Sequence, residues 1–502
     1  MSRAIPWLLA AYLVFSLAVS LLYLGTQYSP DSFSYFDMSQ SLFQPVSIIR
    51  QYVTFTEYGI SFPYLFPLLI WIVNSVTGLG IFSGNVINIA AALVSLYLLI
   101  RVSIKLCNSP YPGIIAGAVT FFDQEYMSEM ASARAVPLSL MCVLLILNLN
   151  IWNLNIWDRD ADPADRKMRP VEFFLMGLIA GAGMVVRFDF LVISGLLGVF
   201  LVIGSGRFRT VPYYVLGLAV FTLPWVIYSV SLFGTIWVSD NSGTLLMVHP
   251  VNPQRFFAPG EEVYTVFDNW RAWFTTRWLI VLRVGGRAVL RPISAAVIVG
   301  GLGIALASVR LGKAQPRGFT ISLAVWLVIY AAKTAAIVLV GYPDLRYHSE
   351  TLIIVIFLTL CWISRRYNNP KVWMGFAVAV CLFSVIHLNF GIGAFDNIRP
   401  TEYIQEISQL MIDHSGSKED IRFFNLYRGA FNAYSFGAHT RIRTFAHIEG
   451  INEERLLYLT ENFIRPNYIY SPDRMSQWMI RLNRYYEIER LGVSNVFALT
   501  PR

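Results

Sequence analysis

The sequence predicts a polytopic α-helical membrane protein with about eleven transmembrane helices and a small α/β domain at its carboxyl end. Of its 502 residues, 56% are hydrophobic and 14% are charged, which is more apolar surface than a soluble core of this length needs. The apolar residues also fall into runs of roughly 17 to 25 residues, long enough as helices to cross a hydrocarbon layer of about 30 Å. These runs are therefore expected to contact lipid.

Basic residues in the short connections predict the threading of the chain. They collect at positions 3, 101–105, 159–169, 207–209, 310–317 and 365–371. The positive-inside rule places these connections in the cytoplasm, so the net charge of +8 is interpreted as a topology signal and not as a nucleic-acid-binding surface. The amino terminus is then predicted to be cytoplasmic. The protein is predicted to be integral to the cell (inner) membrane. The predicted spans are 5–25, 83–104, 112–130, 135–156, 171–187, 190–206, 211–233, 291–309, 319–341, 350–364 and 372–391.

The segments outside these spans complete the predicted domain organisation. The membrane domain covers 1–395, with long outer loops at 26–82 and 234–290. The apolar run 60–78 is assigned to an interfacial or re-entrant helix, because counting it as a crossing would break the alternation of the basic connections. After residue 395 the chain turns polar, and strand-like runs at 421–426, 441–445, 467–470 and 495–499 alternate with helical stretches. This pattern predicts an extracytoplasmic α/β domain over 396–502.

A polar segment directly after the first span, Tyr28–Tyr35, contains the leading catalytic candidate, Asp31. The same carboxylate could cap the helix that follows it, and the two roles are compatible. Further local patterns follow in a fixed order along the chain: Phe62–Gly80, Arg187-Phe188-Asp189, Ser239–Gly243 and Asp344–Tyr347.

Together these patterns resemble the C-type superfamily of integral membrane glycosyltransferases, which use sugars linked to polyprenyl phosphate. The resemblance is architectural and covers most of the chain: an acid in the first outer loop, surface helices after it, and a ladder of spans. Where protein mannosyltransferases and lipid A modifying relatives have Asp-Glu, this chain has Asp31-Ser32. The resemblance implies a hexosyl- or pentosyltransferase that moves a sugar from polyprenyl phosphate to an acceptor hydroxyl on the outer face, with inversion.

Two acids are predicted to be catalytic. The acceptor hydroxyl is a weak nucleophile, and Asp31 has the chemistry and the predicted side of the membrane to take its proton. Family members usually supply another acid from the second outer loop, which here offers Asp123, Glu125 and Glu129, and Glu129 is favoured. A salt bridge between Glu129 and Arg134 at a helix end is the structural alternative. No cofactor is required, although a divalent cation bound by Asp31 and a second-loop acid stays open.

Three cations are predicted to contact the donor phosphate as negative charge develops on it: Arg346 first, then Lys333 and Arg187. Lys333 lies inside an apolar span, where an unpaired charge is expensive, so it should face a cavity or reach toward the membrane surface. Arg346 could alternatively be an interfacial anchor. Contacts with the acceptor or the sugar are predicted at Tyr35, Asp123, Asp189, Asn241 and His348.

The predicted partners are a polyprenyl-phosphate sugar donor, a glycan, lipid or protein acceptor, and membrane lipid, without nucleic acid. Two other classes remain as alternatives. A transporter or flippase of a lipid-linked solute would also need charge inside the membrane, but it would usually show inverted repeats. A glycan polymer ligase would share the basic phosphate-binding residues and would depend less on Asp31.

Overall fold

The chain is largely helical and divides into two units. The computed structural model describes residues 4–22, 32, 35–36, 38–39, 63–121, 124–152, 169–205, 208–233, 247–248, 264–265, 317–340, 346–367, 369–391, 401–417, 419–425, 443–446, 465–470, 482–492 and 496–502. The first unit comprises Met1–Leu21, Ile60–Arg255 and Val263–Gly393. The second comprises Leu22–Gly59, Phe256–Glu262 and Ala394–Arg502.

Thirteen α-helices lie in the described residues, twelve of them wholly or almost wholly in the first unit. They are α1 (Ala4–Leu22), α2 (Leu65–Thr77), α3 (Phe82–Cys107), α4 (Tyr111–Phe121), α5 (Gln124–Ala131), α6 (Val136–Trp152), α7 (Pro170–Met184), α8 (Phe190–Ser205), α9 (Val211–Phe233), α10 (Arg317–Val340), α11 (Arg346–Arg366), α12 (Pro370–Gly391) and α13 (Thr401–Ser415). The first unit also contains a two-residue antiparallel ladder between β1 (Met247–Val248) and β2 (Tyr264–Thr265).

One helix of the described residues, Phe82–Cys107, is long and apolar enough to cross a membrane by length and composition. The other apolar stretches found there are shorter, between 10 and 17 residues. The helix predicted over 60–78 is α2, whose 13 residues are fewer than the roughly 20 that a crossing needs. Its position at a membrane surface, the count of eleven spans and the orientation of both termini stay predictions. The predicted span at 291–309 lies outside the described residues.

Large apolar side chains point outward from the helices of the first unit. Trp7 on α1 is 78% exposed, Val171 on α7 is 61% exposed, and Ile227 on α9 and Leu382 on α12 are each 59% exposed. An exterior of this kind would be an aggregation hazard in water but is the normal surface of helices that contact lipid.

Helices α7 and α9 pack closely through glycine. Gly177 and Gly181 lie one turn apart on α7, and Gly217 lies on the facing surface of α9. A Cβ atom added at Gly177 would meet the carbonyl oxygen of Tyr214 at 2.0 Å, and one at Gly217 would meet that of Phe174 at 2.1 Å. Only a residue without a side chain lets the two backbones approach this closely.

The second unit contains a five-stranded sheet and α13. Its strands are β3 (Arg422–Asn425), β4 (Arg443–Ala446), β5 (Tyr468–Tyr470), β6 (Tyr486–Arg490) and β7 (Val496–Pro501), in the order β4-β3-β5-β7-β6. β3 runs parallel to β4 and β5, whereas β7 runs antiparallel to β5 and β6. Ile407 and Met411 of α13 pack with Phe423, Tyr468 and Val496 of the sheet in one buried cluster.

Candidate active site

Four charged side chains of the first unit form a closed ring of ion pairs. The guanidinium of Arg187 contacts both carboxylate oxygens of Asp189, with Nε at 3.0 Å from Oδ1 and Nη2 at 3.2 Å from Oδ2. The ammonium of Lys333 lies 3.0 Å from Oδ2 of Asp189 and donates to Oε2 of Glu350 at 2.8 Å. Nη1 of Arg187 lies 3.6 Å from Oε1 of Glu350 and closes the ring. We call these four residues the ion ring.

Two helices and one turn supply the members of the ion ring. Arg187 and Asp189 lie in the turn between α7 and α8, while Lys333 lies within α10 and Glu350 in the first turns of α11. α10 packs against both α8 and α11, so three segments distant in sequence converge.

Backbone and aromatic contacts fix the turn that presents Arg187 and Asp189. The amide of Arg187 donates to the carbonyl of Gly183 at 2.9 Å, and the amide of Phe190 donates to the carbonyl of Arg187 at 3.1 Å. Phe188, between the two charged residues, packs on Trp225 of α9 with ring centroids 5.7 Å apart. The apolar side chain thus anchors the turn while its two charged neighbours reach the ring.

The ion ring is balanced in charge and unevenly buried. The side chains of Lys333 and Glu350 are each 1% exposed, that of Arg187 is 9% exposed, and that of Asp189 is 20% exposed. Burial alone raises the pKa of Asp189, but Arg187 and Lys333 outweigh it and hold this pKa well below its usual range. Two cations and two carboxylates therefore compensate each other in a low-dielectric setting, where any one of them alone would be costly.

Three of the residues predicted from the sequence meet in this ring: Lys333, Arg187 and Asp189. The fourth, Glu350, is not among the residues predicted from the sequence. Its signal was an acid at the start of an apolar span, one helical turn after Arg346. An unpaired charge inside an apolar span is costly for a carboxylate as well as for an ammonium. Lys333 and Glu350 therefore each need a partner, and they pair with one another.

Glu129 forms the salt bridge that the structural alternative predicted. Nη1 of Arg134 donates to Oε1 of Glu129, whose side chain is 4% exposed. Asn85 and Asn88 of α3 close the same helix end: Asn85 donates to the carbonyl of Ala131, and Asn88 donates to the carbonyl of Arg134 at 2.8 Å. This network orients the end of α5, and the catalytic role of Glu129 stays a prediction.

The other predicted site residues are placed less fully. Asp31, Asp123 and Asn241 lie outside the described residues. Arg346 and His348 lie in the first turn of α11, so Arg346 precedes Glu350 by one helical turn. Tyr35, in the second unit, is buried. Within the described part of the chain, no group of three or more His, Cys, Asp or Glu residues is placed to hold a metal ion.

Comparison with known proteins gives a likeness in fold. No protein-family model matches the sequence, and no curated protein matches it. The oligosaccharyltransferase of Archaeoglobus fulgidus, in a complex with Zn and sulfate, has a TM-score of 0.54 at 12% identity, covering 96% of this chain and 73% of that one. The same organism's oligosaccharyltransferase AglB, in complex with an inhibitory peptide and a dolichol-phosphate, has a TM-score of 0.51 at 10% identity, with coverage of 99% and 74%.

A further match is ArnT from Cupriavidus metallidurans in the apo state, with a TM-score of 0.47 at 13% identity and coverage of 99% of this chain and 98% of that one. The likeness to the oligosaccharyltransferase shows that this chain shares the fold of that enzyme. The resemblance in fold that the sequence predicted is thereby confirmed.

Proposed function

We propose that this protein is an integral membrane glycosyltransferase that transfers a sugar from a polyprenyl-phosphate donor to an acceptor hydroxyl on the outer face of the membrane. The observation that carries the proposal is the shared fold with AglB, which binds a dolichol-phosphate and an inhibitory peptide in one structure. The same oligosaccharyltransferase has also been solved tethered to an acceptor peptide. A scaffold that brings a lipid phosphate and an acceptor together suits this reaction.

The outward apolar side chains and the ion ring support the same proposal. Helices with apolar exteriors allow a polyprenyl chain to approach laterally from the bilayer, so that only its phosphate and sugar must enter a polar site. The ion ring supplies such polarity within an apolar helical unit, and its guanidinium and ammonium are the groups that bind phosphate best.

In the proposed reaction, Asp31 takes the proton of the acceptor hydroxyl as its oxygen attacks the anomeric carbon. The bond from that carbon to the phosphate oxygen breaks, and the polyprenyl phosphate leaves with the bonding electrons. Direct attack inverts the anomeric configuration and needs no covalent enzyme intermediate. Arg346, one helical turn before Glu350 on α11, is the proposed source of the positive charge that favours departure of the phosphate.

The test is transfer of a labelled sugar from a panel of short-chain polyprenyl phosphates by the purified protein, comparing wild type with Asp31→Asn. A general base contributes roughly 10²- to 10⁴-fold, so we expect Asp31→Asn to lower kcat by at least about 10²-fold. Asp420→Asn, at an exposed turn of the second unit, is the matched control and should keep full turnover.

Two results would contradict the proposal in different ways. Equal turnover by wild type and Asp31→Asn would reject Asp31 as the base while keeping the transferase. Absence of turnover by the wild type across hexosyl and pentosyl donors would reject the transferase itself. That result would favour one of the two other classes: a transporter or flippase of a lipid-linked solute, or a ligase that uses a diphosphate-linked glycan.

A further inference from the structure

Asp189 makes the contacts that a phosphate would make. Arg187 offers it two parallel N–H groups, Nε at 3.0 Å and Nη2 at 3.2 Å, and Lys333 adds an ammonium at 3.0 Å. A forked guanidinium combined with a lysine ammonium is a recurrent way of binding the oxygens of a phosphate monoester or diester. The side chain of Asp189 thus occupies a built anion site.

The two carboxylates of the ion ring differ in how readily they could leave it. Glu350 is 1% exposed and belongs to a regular helix, so its carboxylate is held away from solvent. Asp189 is 20% exposed and lies in a turn, so its carboxylate borders the solvent-exposed side of the ring. The ring is therefore accessible from the Asp189 side and closed on the Glu350 side.

We propose that the phosphate of the lipid-linked donor displaces Asp189 from Arg187 and Lys333, while Glu350 stays as their permanent counter-ion. Asp189 then competes with the phosphate for Arg187 and Lys333. It balances the charge of these buried cations until an anion that binds them more strongly takes its place. Exchange of one anion for another preserves the charge balance of the ring, which loss of Asp189 without replacement would not. This inference rests on the proposed function for the identity of the anion, a prenyl phosphate.

The experiment measures the rise in the midpoint of thermal unfolding of detergent-solubilised protein against the concentration of farnesyl phosphate. Farnesol, which lacks the phosphate, and inorganic phosphate, which lacks the lipid, are titrated in parallel. Removing the competing carboxylate in Asp189→Asn leaves Arg187 and Lys333 in place with one uncompensated positive charge. We expect half-saturation by farnesyl phosphate at a roughly tenfold lower concentration than in wild type, a change of about 1.4 kcal/mol in binding free energy.

Glu350→Gln is the matched control, because it removes the same charge from the same ring. Asp189 still occupies the anion site in that variant, so the affinity for farnesyl phosphate should not rise. The unfolding midpoint without added anion should fall further than in Asp189→Asn, because the lost charge was wholly buried. Asp189→Ser removes the charge with a smaller side chain and replaces Asp189→Asn if the amide prevents folding.

The inference is overturned if both neutral variants at position 189 bind farnesyl phosphate no more tightly than wild type, or if Glu350→Gln gains affinity equally. A gain for inorganic phosphate but none for farnesyl phosphate would assign the site to a free anion and reject the lipid-linked donor. Labelled-sugar transfer separates this inference from the proposed function. If the wild type transfers sugar but Asp189→Asn binds farnesyl phosphate no more tightly than the wild type, only the inference is rejected. Tighter binding in Asp189→Asn without turnover by any protein defeats the transferase alone.

Discussion

Lys333 touches two carboxylates, at 2.8 Å and 3.0 Å, while only 1% of its side chain is exposed. Taking a lysine out of water costs several kcal/mol of solvation free energy. The attraction of its partners offsets this cost only when the ion pairs are short and well aligned. The ion ring meets that condition because each cation bridges both carboxylates. Removing one member leaves the other three with an uncompensated buried charge.

Lys333→Met tests this balance. The change leaves two carboxylates facing Arg187 alone, and we expect it to lower the free energy of unfolding by about 3–5 kcal/mol. Adding Glu350→Gln should restore part of the loss, because the ring is then balanced again between Arg187 and Asp189. Unfolding by SDS in mixed micelles, followed by circular dichroism, measures both effects. Lys105→Met, at an exposed position on α3, should stay within about 0.5 kcal/mol of wild type.

At the scale of elements, the pairing of α7 with α9 sets where the turn of the ion ring lies. α7 ends at Met184, three residues before Arg187, and its glycines hold it against α9, which also carries the Trp225 that packs on Phe188. The contact between the helices is made by backbone, so it cannot adjust by rotating a side chain. A shift of α7 would move Arg187 and Asp189 with it.

Gly177→Ala is expected to separate the two helices. Its Cβ would lie 2.0 Å from the carbonyl oxygen of Tyr214, and overpacking of this kind costs about 1–3 kcal/mol. Gly195→Ala on α8 is the control, since a Cβ there would meet no atom of the described residues within 4 Å. Alanine favours a helix over glycine by roughly 0.5–1 kcal/mol, so Gly195→Ala should be neutral or stabilising. Equal effects of the two changes on SDS-induced unfolding would refute the close contact.

At the scale of the whole molecule, the two units differ in their exteriors. The helices of the first unit expose large apolar side chains, whereas β6 of the second unit exposes Glu487 and Glu489. Such a contrast is expected when one part of a chain meets lipid and another meets water.

Nitroxide labels can test this division in reconstituted protein, with the half-buried Cys381 replaced by Ser. A label at Ile227→Cys, on the exterior of α9, should collide more with oxygen, which concentrates in the bilayer, than with a water-soluble nickel chelate. A label at Glu487→Cys should show the reverse preference. Higher nickel accessibility at position 227 would place α9 in water and contradict the membrane assignment.

The sequence also anticipated several strands of the second unit, because local patterns encode them. The runs 421–426 and 467–470 contain β3 and β5, and the runs 441–445 and 495–499 overlap β4 and β7, which end one and two residues later. β6 was not predicted: its residues Tyr486–Arg490 alternate Glu with apolar side chains in a highly charged stretch. As an edge strand it buries little, so pairing with β7 decides its conformation.

By itself, then, the sequence determined the class of fold, its helical character and the presence of charged residues within apolar segments. Those properties depend on composition and on periodicity within one segment. Only the tertiary structure decided which charges compensate each other, since Lys333 and Glu350 lie on different helices and Arg187 and Asp189 come from a turn far earlier in the chain. Coulomb attraction acts through space and not along the sequence, so the ion ring becomes visible only when α8, α10 and α11 are packed together.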